Sequence, residues 1–169
     1  EEHQGSLNWY CLDFWSDELG IDIVELKREV SERIAYRPHV KQFLNALHSM
    51  GLQLAIVTNA HRASINLKLE QTDLSQFFDE IICSHDYKAP KENALFWESL
   101  YKERPFELNR TVFFDDNETV LSAAKKFGIM HLFSIAQPDS QKAVRAQLDF
   151  PMVHDFLDLL PSEARLNDG

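Results

Sequence analysis

Apolar positions along this chain change their period twice. From Leu7 to Ile34 they fall at helical spacing, with Leu7, Tyr10, Cys11 and Phe14 in one run and Ile23, Leu26, Val30 and Ile34 in the next. Gly20 separates the runs, so the stretch is predicted as a helical hairpin, and Tyr36-Arg37-Pro38 is the hinge out of it. Beyond Pro38, Val40, Phe43, Leu44 and Leu47 share one helical face. Gly51 stops that helix, and LQLAIVTNA follows as a short buried strand ending in polar residues. The alternation then repeats: a helix around 63–70, the strand EIICS, a helix over 93–102, the strand TVFF, a helix over 119–127 and the strand HLFSI. The last stretch, PMVHDFLDLLPSEARLNDG, is expected to dock as one helix or turn and then fray as a polar tail.

Helices alternating with strands through short connections imply an α/β fold, a parallel sheet with helices on both faces. In such open sheets ligands bind beyond the carboxyl ends of the strands. The polar residues that close the strands therefore carry the chemistry: Thr58-Asn59, Ser84-His85 and Asp115-Asp116.

Composition narrows the partners. The 169 residues are 44% hydrophobic and 26% charged, enough for one sizeable core. A formal charge of -10 opposes a nucleic-acid footprint, which needs clustered Lys and Arg. A small phosphorylated ligand needs only local positive charge and is compatible with it. Cys11 and Cys83 are too few and too widely separated to suggest a disulfide framework or a zinc site, and read as reduced thiols in a cytoplasmic protein. No apolar stretch is long enough to cross a bilayer, so a membrane is not an expected partner.

Asp115 and Asp116 pose the sharpest question. Two carboxylates about 4 Å apart repel by about 4 kcal/mol at an effective dielectric near 20. Paired hard oxygens suit Mg²⁺ with waters and a substrate phosphate. Equally, Asp115 ends a strand while Asp116 or Asn117 caps the next helix. Thr58-Asn59 offers a hydroxyl and backbone N–H groups at a strand-to-helix turn, which serves either as a phosphate cradle or as a helix cap. Lys91 stands just before an apolar helix, where the macrodipole disfavours a cation, so it is either aimed at a phosphate and a nucleophilic carboxylate or simply solvated; Lys88 competes for the first role.

Thr-Asn after a strand, Pro-Lys before a helix, then an acidic pair after another strand resembles motifs two, three and four of the haloacid dehalogenase-like hydrolases. The resemblance covers nearly the whole chain. It implies a Rossmann-like core in which Thr58, Asn59 and Lys91 bind phosphate, Thr58 and Lys91 act in catalysis, and Asp116, with Asp115 beside it, holds Mg²⁺. Asp116 is favoured for direct ligation because Asn117 matches the family's small polar residue after its metal aspartate. Residues 1–36 then resemble the rear part of a helical cap, and 37–169 the core without its first, central strand. LNWYCLDFWSDELGIDI, TNAHRASINLKLEQTDL and SHDYKAPKENALFW resemble the branch of purine nucleotidases acting on GMP and IMP. Lys88 departs from the glycine such sequences often carry before the Pro-Lys pair.

The larger departure is motif one, D-x-D-G-T, whose first aspartate is the family's nucleophile. No D-x-D occurs in these residues. The expectation is a segment of a longer polypeptide whose first portion was cleaved, is unseen or belongs to another chain. The segment alone is expected to be inactive, and the intact form to proceed through an aspartyl-phosphate. Alternatives are a sugar-phosphate or phosphoglycolate-type phosphatase, and a binding module that keeps the scaffold without turnover. Trp9, Tyr10, Phe14 and Trp15 either stack on a base or pack the hairpin. His61 and His85, near two strand ends, are candidates for phosphate or leaving-group contact.

Overall fold

The computed structural model describes residues 5–147 and 149–162. They form two compact units: residues up to Pro90 together with Ser162, and Lys91–Pro161. This division by packing falls within the stretch expected to be the core. No described helix is long and apolar enough to cross a membrane.

The first unit opens with two helices, Leu7–Tyr10 (α1) and Leu12–Leu19 (α2), separated by the extended backbone of Cys11. Gly20 ends α2 in the left-handed region at φ 65, where a side chain would be strained. Asp22 then caps Ile23–Glu29 (α3) by accepting the Glu25 N–H at 2.9 Å. The aromatics of the hairpin pack on one another. Trp15 meets Trp9 and Phe14 edge to face, and its indole N–H donates to the Trp9 carbonyl at 3.1 Å. Val40–Ser49 (α4) buries Phe43 and Leu44 from its predicted face. Ala55–Thr58 (β1) leads through Arg62–Gln71 (α5) to Glu80–Cys83 (β2), which pairs parallel to β1 with Thr58 opposite Cys83.

The second unit runs Ala94–Glu103 (α6), Val112–Asp115 (β3), Glu118–Phe127 (α7), His131–Ile135 (β4) and Met152–Val153 (β5). Its three strands are parallel in the order β3-β4-β5, with Asp115 opposite Ser134. The core is the seam of α6 and α7, where Phe96, Trp97, Leu100, Val120, Leu121 and Ala124 are almost fully buried. Each large side chain so buried contributes about 1.5–3 kcal/mol, which anchors both helices. Trp97 sits at the centre, edge-on to Phe96 and Phe113 and stacked on Phe127.

The end of the chain differs in part from expectation. Met152 and Val153 add a strand to β4, and only Phe156–Leu159 makes the expected turn. Two residues are too few for an alternating pattern to show in a sequence. The predicted polar tail, 163–169, lies outside the described residues. Among those residues β1 pairs with β2 alone and β3 with β4 alone, so each has one side without a paired strand.

Candidate functional site

In the first unit the chemistry gathers where β1 and β2 end. Thr58 closes β1, and its hydroxyl oxygen accepts the Ala60 N–H at 3.0 Å, which tightens the turn and leaves the hydroxyl hydrogen free to donate. His61 holds the N-cap of α5, so neither Thr58 nor Asn59 serves as its cap. Asn59 is buried, and its carbonyl faces His85 Nε2 at 3.2 Å. Because a carbonyl only accepts, that nitrogen carries the proton. Burial, and then the neighbouring His61, push the His85 pKa down, which favours the neutral ring. The two imidazoles meet edge to face at 5.4 Å. The Cys83 thiol is buried, donates to the Ala60 carbonyl at 3.1 Å and is pushed up in pKa by burial, so it is an inert structural thiol.

In the second unit the sequence candidates Lys91 and Asp115 come together. Lys91 Nζ lies 2.5 Å from Asp115 Oδ2, and both side chains are at least nine-tenths buried. Lys91 precedes the N-cap Asn93 and so stands just before α6, outside its first turn. It is the carboxylate of Asp115 that holds it. The backbone is fixed as well, because the Trp97 indole donates to the Lys91 carbonyl at 2.8 Å. A core aromatic thus sets the position of the ammonium.

Asp115 has both oxygens engaged, since Oδ1 accepts the Asn117 N–H at 2.9 Å. Burial pushes its pKa up, and the charge of Lys91 works against that rise. Asn117 is the N-cap of α7 through the Thr119 N–H, and its amide nitrogen donates to Glu92 at 3.3 Å. The capping reading of this stretch is the one seen: Asp115 ends the strand and Asn117, not Asp116, caps the helix two residues later. Asp116 differs from its neighbour. It is exposed, and among the described residues nothing hydrogen-bonds or ion-pairs with its carboxylate. Its carbonyl accepts from Arg145 at 2.6 Å, a residue 29 positions further on that no sequence signal marked. Asp116 is therefore the oxygen donor open to a hard cation such as Mg²⁺, whereas Asp115 would join it only by exchanging an existing partner.

Lys88 lies in the loop before Lys91 with φ 53 and ψ 25, in the left-handed region. The position expected to carry glycine thus keeps a glycine-like backbone while bearing lysine.

A family model for haloacid dehalogenase-like hydrolases matches residues 18–133. The chain is 37% identical over 159 residues to the GMP/IMP nucleotidase YrfG of Escherichia coli strain K12, covering 94% of this chain and 72% of that protein. It is 24% identical over 111 residues to a phosphorylated carbohydrates phosphatase of Thermotoga maritima, covering 66% of this chain and 51% of that one. Its fold is similar to the crystal structure of a HAD phosphatase from Thermococcus onnurineus, with a TM-score of 0.75 at 22% identity over 94% of this chain and 73% of the other.

Proposed function

Because the chain belongs to the haloacid dehalogenase-like hydrolases, we propose that its intact form hydrolyses phosphomonoesters and that its substrate is a purine nucleoside 5′-monophosphate of the GMP or IMP kind. The observation that carries this reading is the similarity to the E. coli nucleotidase along almost the whole chain.

In this reading Lys91 neutralises charge on the transferring phosphoryl oxygens, and Asp115 is the positioning residue that holds the ammonium where it is needed. The Thr58 hydroxyl and the Asn59 N–H are phosphate donors in this reading. Asp116, with Asp115 beside it, would hold Mg²⁺, whose charge when bound lets an anionic nucleophile approach an anionic phosphate. The nucleophile is an aspartate outside these residues, since they contain no D-x-D. Its attack forms an aspartyl-phosphate and divides one hard displacement into two easier ones. The 169 residues alone do not turn over phosphate esters. The free thiols Cys11 and Cys83 support a reducing, cytoplasmic location.

The test is a panel of GMP, IMP, AMP, sugar phosphates and phosphoglycolate with the intact protein and Mg²⁺. GMP and IMP are expected to give the highest kcat/KM. Preference for a sugar phosphate or phosphoglycolate would transfer the assignment to that second class, which the similarity to the Thermotoga phosphatase favours. Hydrolysis of no ester would leave a binding module.

A further inference from the structure

We propose that Cys11, Asp13 and His61 form a binding site for a borderline divalent transition-metal ion, Zn²⁺ by its chemistry, built from residues other than the acidic pair that ends β3. One sulfur, one carboxylate oxygen and one imidazole nitrogen lie within 4.8 Å of one another. His61 Nε2 is 3.4 Å from Asp13 Oδ2. A tetrahedral ion with bonds of about 2.0–2.2 Å to nitrogen and oxygen keeps those two atoms about 3.4 Å apart. That edge of the polyhedron is already in place, and the sulfur, within 4.8 Å of both, needs at most about 1.3 Å of closure to complete it.

The way these residues are used locally points the same way. Cys11 is the N-cap of α2, Asp13 lies in its first turn and His61 is the N-cap of α5. Ser, Thr, Asp and Asn are the side chains that cap helices well. Neither Cys11 nor His61 makes a side-chain cap hydrogen bond, so their donor atoms are not spent on the helices they begin. His61 Nδ1 is buried with no hydrogen-bond partner among the described residues. The ring itself is braced edge-on by His85.

The donor set selects the ion. Mg²⁺ and Ca²⁺ take oxygen ligands and gain little from sulfur or imidazole, whereas mixed S, N and O donors suit Zn²⁺. A thiolate and a carboxylate balance its two charges, and binding releases the Cys11 proton to solvent. Asp13 is exposed and Cys11 half-buried, so the ion enters from solvent. Three protein ligands leave a fourth position for water or a ligand anion. An ion there clasps the start of α2 to the turn that follows β1.

The experiment titrates the metal-stripped full chain with Co²⁺, whose thiolate complexes absorb in the near ultraviolet, and displaces it with Zn²⁺. The expected result is a thiolate-to-cobalt band that saturates at one equivalent, is displaced by Zn²⁺ and is untouched by excess Mg²⁺. Cys11→Ser should abolish the band and Cys83→Ser should keep it. Asp13→Asn and His61→Gln should each weaken binding by more than about tenfold. Asp13 is solvent-exposed, so its replacement tests the site even where His61→Gln disturbs the fold. Absence of the band, its survival in Cys11→Ser, or unchanged affinity in Asp13→Asn overturns the proposal.

Discussion

The Lys91 ammonium is seated on Asp115 Oδ2 in a nearly water-free position, and the Trp97 indole fixes the backbone that carries it. Removing one member of a buried pair leaves the other charge uncompensated, at a cost of about 3 kcal/mol or more. The losses should be unequal. Asp115→Leu strands an ammonium, while Lys91→Met leaves an acid whose burial already favours its neutral form. Asp115→Leu is therefore expected to lower the urea midpoint further than Lys91→Met. The double variant should return to within about 1 kcal/mol of the parent, because apolar side chains of similar size replace buried pairs well. A double variant as unstable as the sum of the singles would show that the pair is not the linkage described.

Lys88 gives a prediction of opposite sign. A side chain in the left-handed region costs about 1–2 kcal/mol, and Lys88 lies there at φ 53. Lys88→Gly removes that strain and gives back part of it as unfolded-chain entropy, so a net gain of about 1 kcal/mol is expected in a urea melt. Lys88→Ala keeps the Cβ and should gain nothing. Equal stability of the two variants would mean that the backbone at this position is not strained.

Asp116 should separate function from fold. Its carboxylate has no protein partner among the described residues, so Asp116→Asn is expected to leave the melting temperature of the chain unchanged. In the intact protein the same substitution should reduce Mg²⁺ affinity roughly tenfold or more, by analogy with other losses around metal sites, and reduce turnover with it. Asp115→Asn should instead lower stability, because it disturbs the Lys91 contact. An unaltered Mg²⁺ activation curve in Asp116→Asn would end the metal assignment.

Much of this was legible in the sequence for identifiable reasons. HLFSI, the helix over 119–127 and the helix near 93–102 carry long apolar runs or faces bounded by Asn or Gly, and the structure has them at β4, α7 and α6 within a residue. Lys91 was visible as a cation in want of an anion and Asp115 as half of an acidic pair in want of a cation, but that the two meet was not. What the sequence hid depends on distance along the chain or on brevity. Arg145 reaches the Asp116 carbonyl from a stretch without regular structure, and β5 is two residues long. Cys11 looked like an isolated thiol because the residues near it in space belong to two helix starts far apart in sequence.

Asp73 ties two other residues of the first unit together, and the tie predicts a pH response at both extremes. Lys41 Nζ donates to one of its oxygens at 2.8 Å and the Tyr36 hydroxyl to the other at 2.6 Å. The Lys41 and Tyr36 hydrogen bonds hold the Asp73 pKa down at about 2, below its ordinary 3.8. A carboxylate depressed in the folded state stabilises fully above its unfolded value and loses that contribution as the pH falls through the folded one. The chain should therefore lose stability between 3.8 and about 2 from this group, and Asp73→Asn should be flatter across that window. At the alkaline end burial, and then the Asp73 acceptor, push the Tyr36 phenol up to about 12. Asp73→Asn should lower that value while leaving it above 10.0, because burial remains. The readout is the phenolate absorbance of the parent minus that of Tyr36→Phe, titrated with and without Asp73→Asn. A Tyr36 titration that does not move would show that Asp73 does not act on the phenol.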